Sequence, residues 1–270
     1  MIAFSLAYFL PKLGYVSLVY SSLTSLIFSL YLFINKTNRL NTSENMKIYV
    51  VGSSKNLFLK TDNIREKFLV DHIHSGDNID DLNPWYCELT GLYHLWKNTT
   101  DDIIGLEHYR RYFLGDKKIL SEEEINEALK DNDIILRRFI YSAHGQKDGF
   151  QWPEEQGILT HFIEFLYQVN EPEFAMHTLH LLNTSPEFAQ CNMFIGKRKV
   201  IDDYCSYLFS LFDKADFEYF KQFKRLYGYF GEFMFFSWLT WNNVKYTWRR
   251  TVTFYADDFN RIGEITPGEN

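Results

Sequence analysis

The chain is poor in cysteine and in positive charge. Its 270 residues include three cysteines, Cys87, Cys191 and Cys205. None forms a Cys-x-x-Cys pair and the count is odd, so neither a disulfide framework nor a zinc signature is present. A reducing compartment follows as the simplest expectation, with all three thiols as small core residues. Lys and Arg number 28 against 35 Asp and Glu, for a net charge of −7. That balance disfavours general nucleic-acid binding and suits a local anion pocket better than a broad basic face. The chain also lacks a Gly-rich dinucleotide fingerprint, P-loop spacing, a Gly-x-Ser-x-Gly elbow, a Ser/Lys signature and His-Glu-x-x-His. Nucleophilic hydrolase chemistry therefore has no support. His177 and His180, three apart on a helical stretch, lack the further ligand of a zinc pair and read as chance histidines. No internal repeat or low-complexity linker is visible.

What the chain has in abundance is apolar and aromatic material, 46% and 18% of residues, with 25 Phe and 18 Tyr. That is ample for a core and excludes disorder. Residues 1–45 carry only Lys12, Lys36, Arg39 and Glu44 as charges. The uncharged run from Leu13 to Asn35 is long enough to cross a bilayer, which takes ~20 apolar residues. Ser17, Ser21, Ser22, Thr24, Ser25 and Ser29 interrupt it, and a membrane helix accommodates these by bonding them to its own backbone. Three readings stay open: a single membrane anchor, an interfacial or buried hydrophobic helix, and an artefact of start-site choice. As an anchor, with Lys36, Arg39 and Lys47 following it, it would leave the remainder cytoplasmic. A boundary is expected between this segment, residues 1–45, and an α/β domain, residues 46–270.

Met46 to Val51 reads as the first strand, with Gly52-Ser53-Ser54-Lys55 as a loop at its carboxyl end. Residues 56–82 predict a short helix, a strand and a loop. Asn83 as N-cap and Pro84 at the first helical position start a helix that runs to Lys97-Asn98, with Trp85, Leu89, Leu92, Tyr93 and Trp96 on one face. Ile103 to Leu106 is a buried strand. Ser121-Glu122-Glu123-Glu124 is a capping box opening a surface helix, and Asp133 to Leu136 is another strand. A helical region at about 154–183, broken near Pro172, precedes a short strand at Asn192 to Gly196 and a helix at about 198–212. Phe217 to Asn242 is helical and very aromatic, and Tyr246 to Tyr255 is a late strand. Alternating strands and helices point to an α/β sandwich.

The chemistry concentrates where the Ile103 strand ends, in His108-Tyr109-Arg110-Arg111-Tyr112-Phe113. Ligands of open α/β sheets bind beyond the carboxyl ends of strands, and arginine forks match phosphate oxygens. On a continuing strand, Arg110 and Arg111 would face opposite ways. An Asp-x-Asp after a strand would hold a divalent ion against a diphosphate. The literal one, Asp131-Asn132-Asp133, precedes its strand and reads as turn chemistry. Asp202-Asp203 reads as a solvated pair inside a helix, whereas Asp257-Asp258 follows the late strand. Glu88, at an apolar-flanked helix start, reads either as a capping acid or as a residue orienting an arginine or a ribose hydroxyl. Glu232 interrupts the apolar run Tyr227 to Met234, where a carboxylate is costly unless paired. An ion pair, a sugar contact and a general base are the alternatives for it.

Several segments occur together in a telling order: Gly76-Asp77-Asn78-Ile79; Asn83-Pro84-Trp85-Tyr86-Cys87-Glu88-Leu89-Thr90-Gly91-Leu92-Tyr93 with Trp96-Lys97-Asn98; Ile104 to Phe113; Cys191-Asn192-Met193-Phe194-Ile195 with Asp203-Tyr204-Cys205; and Gly228-Tyr229-Phe230-Gly231-Glu232. Over about residues 46–245 the chain resembles the bacterial capsular and exopolysaccharide glycosyltransferases with the HYRRYF signature, first catalogued as a domain of unknown function (DUF4422-like). The resemblance implies a GT-A-like, nucleotide-sugar-binding α/β sandwich. It implies transfer of a hexose, galactose or galactofuranose from a UDP donor, to a lipid-linked glycan at the cytoplasmic membrane face, in capsule, exopolysaccharide or O-antigen synthesis. Arg110, Arg111 and the base Glu232 would be catalytic. His108, Tyr109, Glu88, Asn192 and Gly52 would bind the donor. No residue is assigned to a metal, and assistance by manganese or magnesium is left open. The chain departs from the family at Gly231-Glu232-Phe233, where a Ser-Glu-Arg-like triplet is usual, and keeps only His144 of a histidine-rich loop. A catalytically degenerate sugar-nucleotide-binding protein on the same fold is the alternative.

Overall fold

A computed structural model of the protein describes residues 45–56, 61–116, 118–140, 153–189 and 191–254. The sheet is built from β1 (Met46–Gly52), β2 (Arg65–Leu69), β3 (Ile103–His108), β4 (Arg111–Phe113), β5 (Ile134–Arg137), β8 (Phe194–Lys197), β9 (Tyr246–Arg249) and β10 (Thr251–Thr253). A separate short pair joins β6 (Phe139–Ile140) to β7 (Glu187–Phe188). The helices are α1 (Asn83–Tyr86), α2 (Leu89–Asn98), α3 (Glu122–Leu129), α4 (Pro153–Gln168), α5 (Pro172–Thr184), α6 (Arg198–Lys214), α7 (Phe217–Phe220) and α8 (Leu226–Trp241).

Across the sheet the order is β2, β1, β3, β8, β5, β9, with β8 antiparallel to both its neighbours and the other pairings parallel. Beyond the end of β8, β3 folds back through a tight turn into β4, which pairs with β10. The carboxyl ends of β1, β3 and β5 and the amino end of β8 therefore share one edge of the sheet.

Strand residues alternate between two apolar layers, as the two-residue period of a strand requires. Tyr49, Val51, Ile104, Leu106, Ile134, Leu136 and Phe194 face the larger core, packed by α2, α4, α5, α6 and α8. Ile48, Ile103, Ile135 and Ile195 face a smaller one, packed by Ile125 and Leu129 of α3. Helix α8 is apolar nearly all round, as a helix enclosed by its neighbours must be.

The mixed α/β architecture matches the sequence expectation, and the capping box at Ser121 and the break before Pro172 fall where expected. Asn132 caps back to the Ala128 carbonyl (2.9 Å) and Asp133 pairs with Lys197 (3.0 Å), so Asp131-Asn132-Asp133 is turn chemistry. Asp202 and Asp203 pair with Arg198 and Lys199 one turn away. Three expectations change. The helix from Pro84 to Asn98 is broken at Cys87, whose φ of 52° ends α1. Between residues 56 and 82 the described residues form one strand and one 3-10 turn (Asp80–Leu82), with no α-helix. The late strand divides at Arg250, because its first half pairs with β5 and its second with β4. The hydrophobic segment, His144 and Asp257-Asp258 lie outside the described residues. Among the described residues, no helix is long and apolar enough to cross a membrane.

Under the β3–β4 turn lies a buried ion pair. Glu107 is fully enclosed, and its Oε2 accepts from Arg65 Nε at 2.7 Å while its Oε1 accepts from the Phe113 backbone N–H at 2.9 Å. Arg65 also donates to Asp62 Oδ2 and to the Leu120 carbonyl, each at 2.9 Å. Removing one partner of such a pair strands a charge in the interior. Glu107→Gln is expected to lower the unfolding free energy by about 3 kcal/mol, measured by urea denaturation at pH 7. A loss within error would show that the pair does not hold the turn.

Candidate active site

At the shared sheet edge opens a cavity of about 530 Å³. Its floor is the strand ends: Val51 and Gly52 closing β1 with Ser53 after them, and His108 to Arg111 at the β3–β4 turn. One wall is helical, from Asn83, Pro84, Cys87, Glu88, Arg225 and Glu232. Every site residue expected from sequence except Asn192 lines this cavity, and Asn192 supports it from behind.

The turn explains how adjacent arginines serve one cavity. Tyr109 and Arg110 form the turn itself and Arg111 begins β4, so strand alternation does not separate the two arginines. The turn is clamped from outside, with Phe254 N donating to the Arg110 carbonyl at 2.8 Å and Tyr109 N to the Val51 carbonyl at 2.8 Å. His108 is held near the Cys191 backbone, and burial, Arg111 and Arg137 push its pKa down to about 3. It is a neutral imidazole that offers a hydrogen bond rather than charge.

Two carboxylates meet on the helical wall, each enclosed except where it faces the cavity. Glu88 is not a capping acid: its side chain makes no cap bond to α2, and its Oε1 instead accepts from Asn192 Nδ2 at 2.8 Å. Asn192 Nδ2 also reaches the Gly228 carbonyl at 3.1 Å, tying Glu88 to α8. Glu232 Oε2 accepts from the Cys191 N–H at 3.0 Å. Burial raises the pKa of both. Glu232 is pushed up from 4.5 to about 7, first by burial and then by the neighbouring negative charge of Glu88, against the pull of Arg137 and Arg111. Glu88 is raised by burial and held back by its bond from Asn192.

The local backbone is strained to make this wall. Cys87, Cys191, Asn192 and Arg225 all have positive φ, at 52°, 66°, 48° and 66°. Such conformations cost energy in residues other than glycine and cluster at functional sites. Two glycines of α8 allow the close approach. A Cβ on Gly231 would come within 2.9 Å of Leu89 and 3.1 Å of Asn192 Oδ1, and one on Gly228 within 3.2 Å of Cys87.

Only Cys205 is the buried core thiol that the sequence suggested for all three. Cys87 and Cys191 line the cavity, because the positive-φ turns carry them to its surface. Burial pushes their pKa values up to about 12 and about 11, so both stay protonated and are poor nucleophiles. Each sits against an arginine that sequence reasoning missed. Arg137 Nη1 donates to Cys191 Sγ at 3.0 Å, and the Arg225 guanidinium bonds to the Cys87 thiol. Arg137 ends β5 at the same sheet edge as His108, so extending the strand-end rule to every strand would have found it. Arg225 has no such signal, since it precedes α8 in a left-handed conformation. His177 Nε2 lies 2.9 Å from Thr240 Oγ1, an intramolecular bond away from the cavity.

The family described as "Domain of unknown function (DUF4422)" matches residues 29–243. No curated protein matches the chain. Among solved structures, the chain is similar to the apo structure of the bifunctional glycosyltransferase WbbM, with a TM-score of 0.61 and 20% identity. The likeness covers 77% of this chain and 45% of that one, so this chain spans less than half of that protein's length. At that identity it is a likeness of fold.

The raised carboxyl has a thermodynamic signature. A group whose pKa is higher folded than unfolded binds more protons when folded, so its contribution to stability is lost as pH rises between the two values. For Glu232 that window runs from 4.5 to about 7. Stability measured by denaturation is expected to fall across it, and Glu232→Gln to flatten the slope. In Glu88→Gln, carbon-13 NMR of the Glu232 carboxyl is expected to show a lower pKa, still above the ordinary value because burial remains. An unchanged titration would show that the two carboxyls do not interact.

Proposed function

The chain belongs to the DUF4422 family, and from that premise we propose that it is a hexosyltransferase of GT-A-like architecture. The donor is a nucleotide diphosphate sugar, UDP-galactose or UDP-galactofuranose in the first instance. The acceptor is a lipid-linked glycan of capsule, exopolysaccharide or O-antigen synthesis, met at the cytoplasmic face of the membrane. The observation that supports this best is a single cavity in which Arg110, Arg111 and Arg225 stand with the carboxylates Glu88 and Glu232.

The division of labour follows from the charges. Transfer breaks the bond between the sugar's anomeric carbon and the diphosphate, and negative charge builds on the leaving oxygen. Arg110 and Arg111, fixed by the clamped turn, face that charge without reorganising. An acceptor hydroxyl forms the new bond at the anomeric carbon and gives its proton to Glu232, whose pKa of about 7 suits it as a base near neutral pH. Glu88, anchored by Asn192, keeps Glu232 basic through its own charge. His108 and Tyr109 contact the donor from the turn, and Gly52 and Ser53 close the cavity at the end of β1. Among the described residues, no group of three or more His, Cys, Asp or Glu is arranged to hold a metal ion. No step here is routed through one, and manganese is a variable of the test.

Calorimetric titration of UDP, UDP-galactose, UDP-galactofuranose and UDP-glucose, with and without manganese, tests the proposal. Binding of a UDP-sugar is expected, lost in the Arg110→Ala, Arg111→Ala double variant, with turnover reduced on the order of 10²-fold or more. In the unmodified protein kcat/KM is expected to rise with pH through about 7 as Glu232 deprotonates, and Glu232→Gln to remove that limb. Binding without turnover on any acceptor would favour a degenerate sugar-nucleotide-binding protein. A folded double variant with full activity would overturn the assignment of the arginines.

A further inference from the structure

A second cavity, of about 550 Å³, opens where β4 ends and shares no lining residue with the first. Its cations are Arg138, which follows β5, and Arg249 and Arg250, which lie where β9 passes into β10. Backbone bonds fix these positions. Arg138 N donates to the Arg249 carbonyl and Leu114 N to the Arg250 carbonyl, each at 2.9 Å. The acids of the same cavity are Asp116, beyond β4, and Glu124 and Glu127 of α3.

These opposite charges do not close on one another. Arg249 Nη1 reaches only the Trp248 carbonyl at 3.1 Å and the Thr247 hydroxyl at 3.4 Å. Arg250 is exposed, and its guanidinium makes no bond among the described residues. Two of the acids are engaged elsewhere. Glu124 accepts from the backbone N–H groups of Asp116 and Ser121, each at 2.8 Å, and Glu127 pairs with Lys130. Asp116 is exposed, and its carboxylate likewise has no partner among the described residues. Arginines and a carboxylate that line one cavity unjoined, in a chain of net charge −7, leave space between them for a ligand.

The charges describe that ligand. Arginine forks fit the oxygens of a phosphate or carboxylate. A carboxylate repels a bare anion and accepts from a hydroxyl. A molecule that carries both an oxyanion and hydroxyls satisfies both. Trp248 adds an aromatic surface to the lining, its ring fixed 5.4 Å from Phe236 and 5.3 Å from Tyr246. A membrane surface fits less well, because none of the large exposed apolar side chains lines this cavity. The cavity also adjoins the first. Arg137 Nε donates to Thr251 Oγ1, next to Arg250, at 3.2 Å, while its Nη1 holds Cys191 of the first cavity.

We propose that this cavity is a second binding site, for an acidic saccharide: a sugar that bears a phosphate or carboxylate, its oxyanion on Arg249 and Arg250 and a hydroxyl on Asp116. The proposal goes beyond the nucleotide-sugar reading and does not depend on it.

The test is NMR of the arginine side-chain Nε–Hε groups in the full chain, titrated separately with glucose 6-phosphate, glucuronate, glucose and inorganic phosphate. Saturable shifts at Arg249 and Arg250 are expected with glucose 6-phosphate or glucuronate, and none with glucose. Read at Arg249, Arg250→Ala is expected to weaken that binding about tenfold, the worth of a charge-assisted hydrogen bond. Asp116→Ala is expected to weaken the acidic sugar and not inorganic phosphate. Inorganic phosphate that binds the unmodified chain as tightly as either acidic sugar would overturn the proposal, leaving a site for an adventitious ion only. So would the absence of a saturable shift with both acidic sugars, or binding that Arg250→Ala leaves intact. UDP, followed at Arg110 and Arg111 in the same sample, reports on the first cavity. Failure of UDP there with acidic sugar bound at Arg249 and Arg250 would bring down the nucleotide reading and uphold this one.

Discussion

The geometry of the cavity depends on the ion pair between Arg65 and Glu107. Glu107 lies in the strand that feeds the turn and accepts from the backbone of Phe113 on the returning strand. Arg65, from β2 on the far side of β1, fills the remaining valence and reaches on to the Leu120 carbonyl. One buried carboxylate thus fixes both arms of the β3–β4 turn to the sheet and to the segment that leads into α3. Replaced by an apolar residue, it would leave the Phe113 N–H and the Arg65 Nε–H unsatisfied. The cationic turn can present His108, Tyr109, Arg110 and Arg111 to one cavity because its backbone is held from beneath by this pair and from outside by Phe254.

The helical wall is built on the opposite logic. Instead of a strong pair it uses close approach and strain. Gly228 and Gly231 let α8 approach the Cys87 turn and Asn192, and four residues with positive φ bend the chain around the carboxylates. Enclosing Glu88 and Glu232 together costs energy, which shows as the raised pKa of each. The backbone N–H of Cys191 and the nearby charges of Arg111 and Arg137 offset that cost in part. Two carboxyls sharing one enclosed site are a common source of a base poised near neutrality.

Much of this was legible in the residues. The continuous apolar run of β1, the capping box at Ser121 and the placement of Asp131-Asn132-Asp133 are local signals, and local physics decides them. The cationic turn was legible too, since six chemically loaded residues at the end of a buried strand leave few alternatives. Glu107 and Arg65 were not, because a charged residue in a strand gives no sign of whether a partner waits beneath it. The cysteines misled for a related reason: burial was inferred from residue type, whereas positive-φ turns carry Cys87 and Cys191 to the cavity surface. The split of the late strand at Arg250 was hidden as well, since periodicity cannot tell which of two neighbours each half pairs with.

The sequence by itself determined the alternation of strands and helices and the concentration of arginine at one strand end, because periodicity and composition act over a few neighbouring residues. Tertiary structure alone decided that Asn192 bonds to Glu88, that the Cys191 backbone holds Glu232 close to them, and that Arg137 and Arg225 join the charge around the two carboxyls. These residues are distant in the chain and are brought together by strand order and by the seating of α8. The raised pKa values of Glu88 and Glu232 are properties of enclosure, which no local stretch of sequence contains.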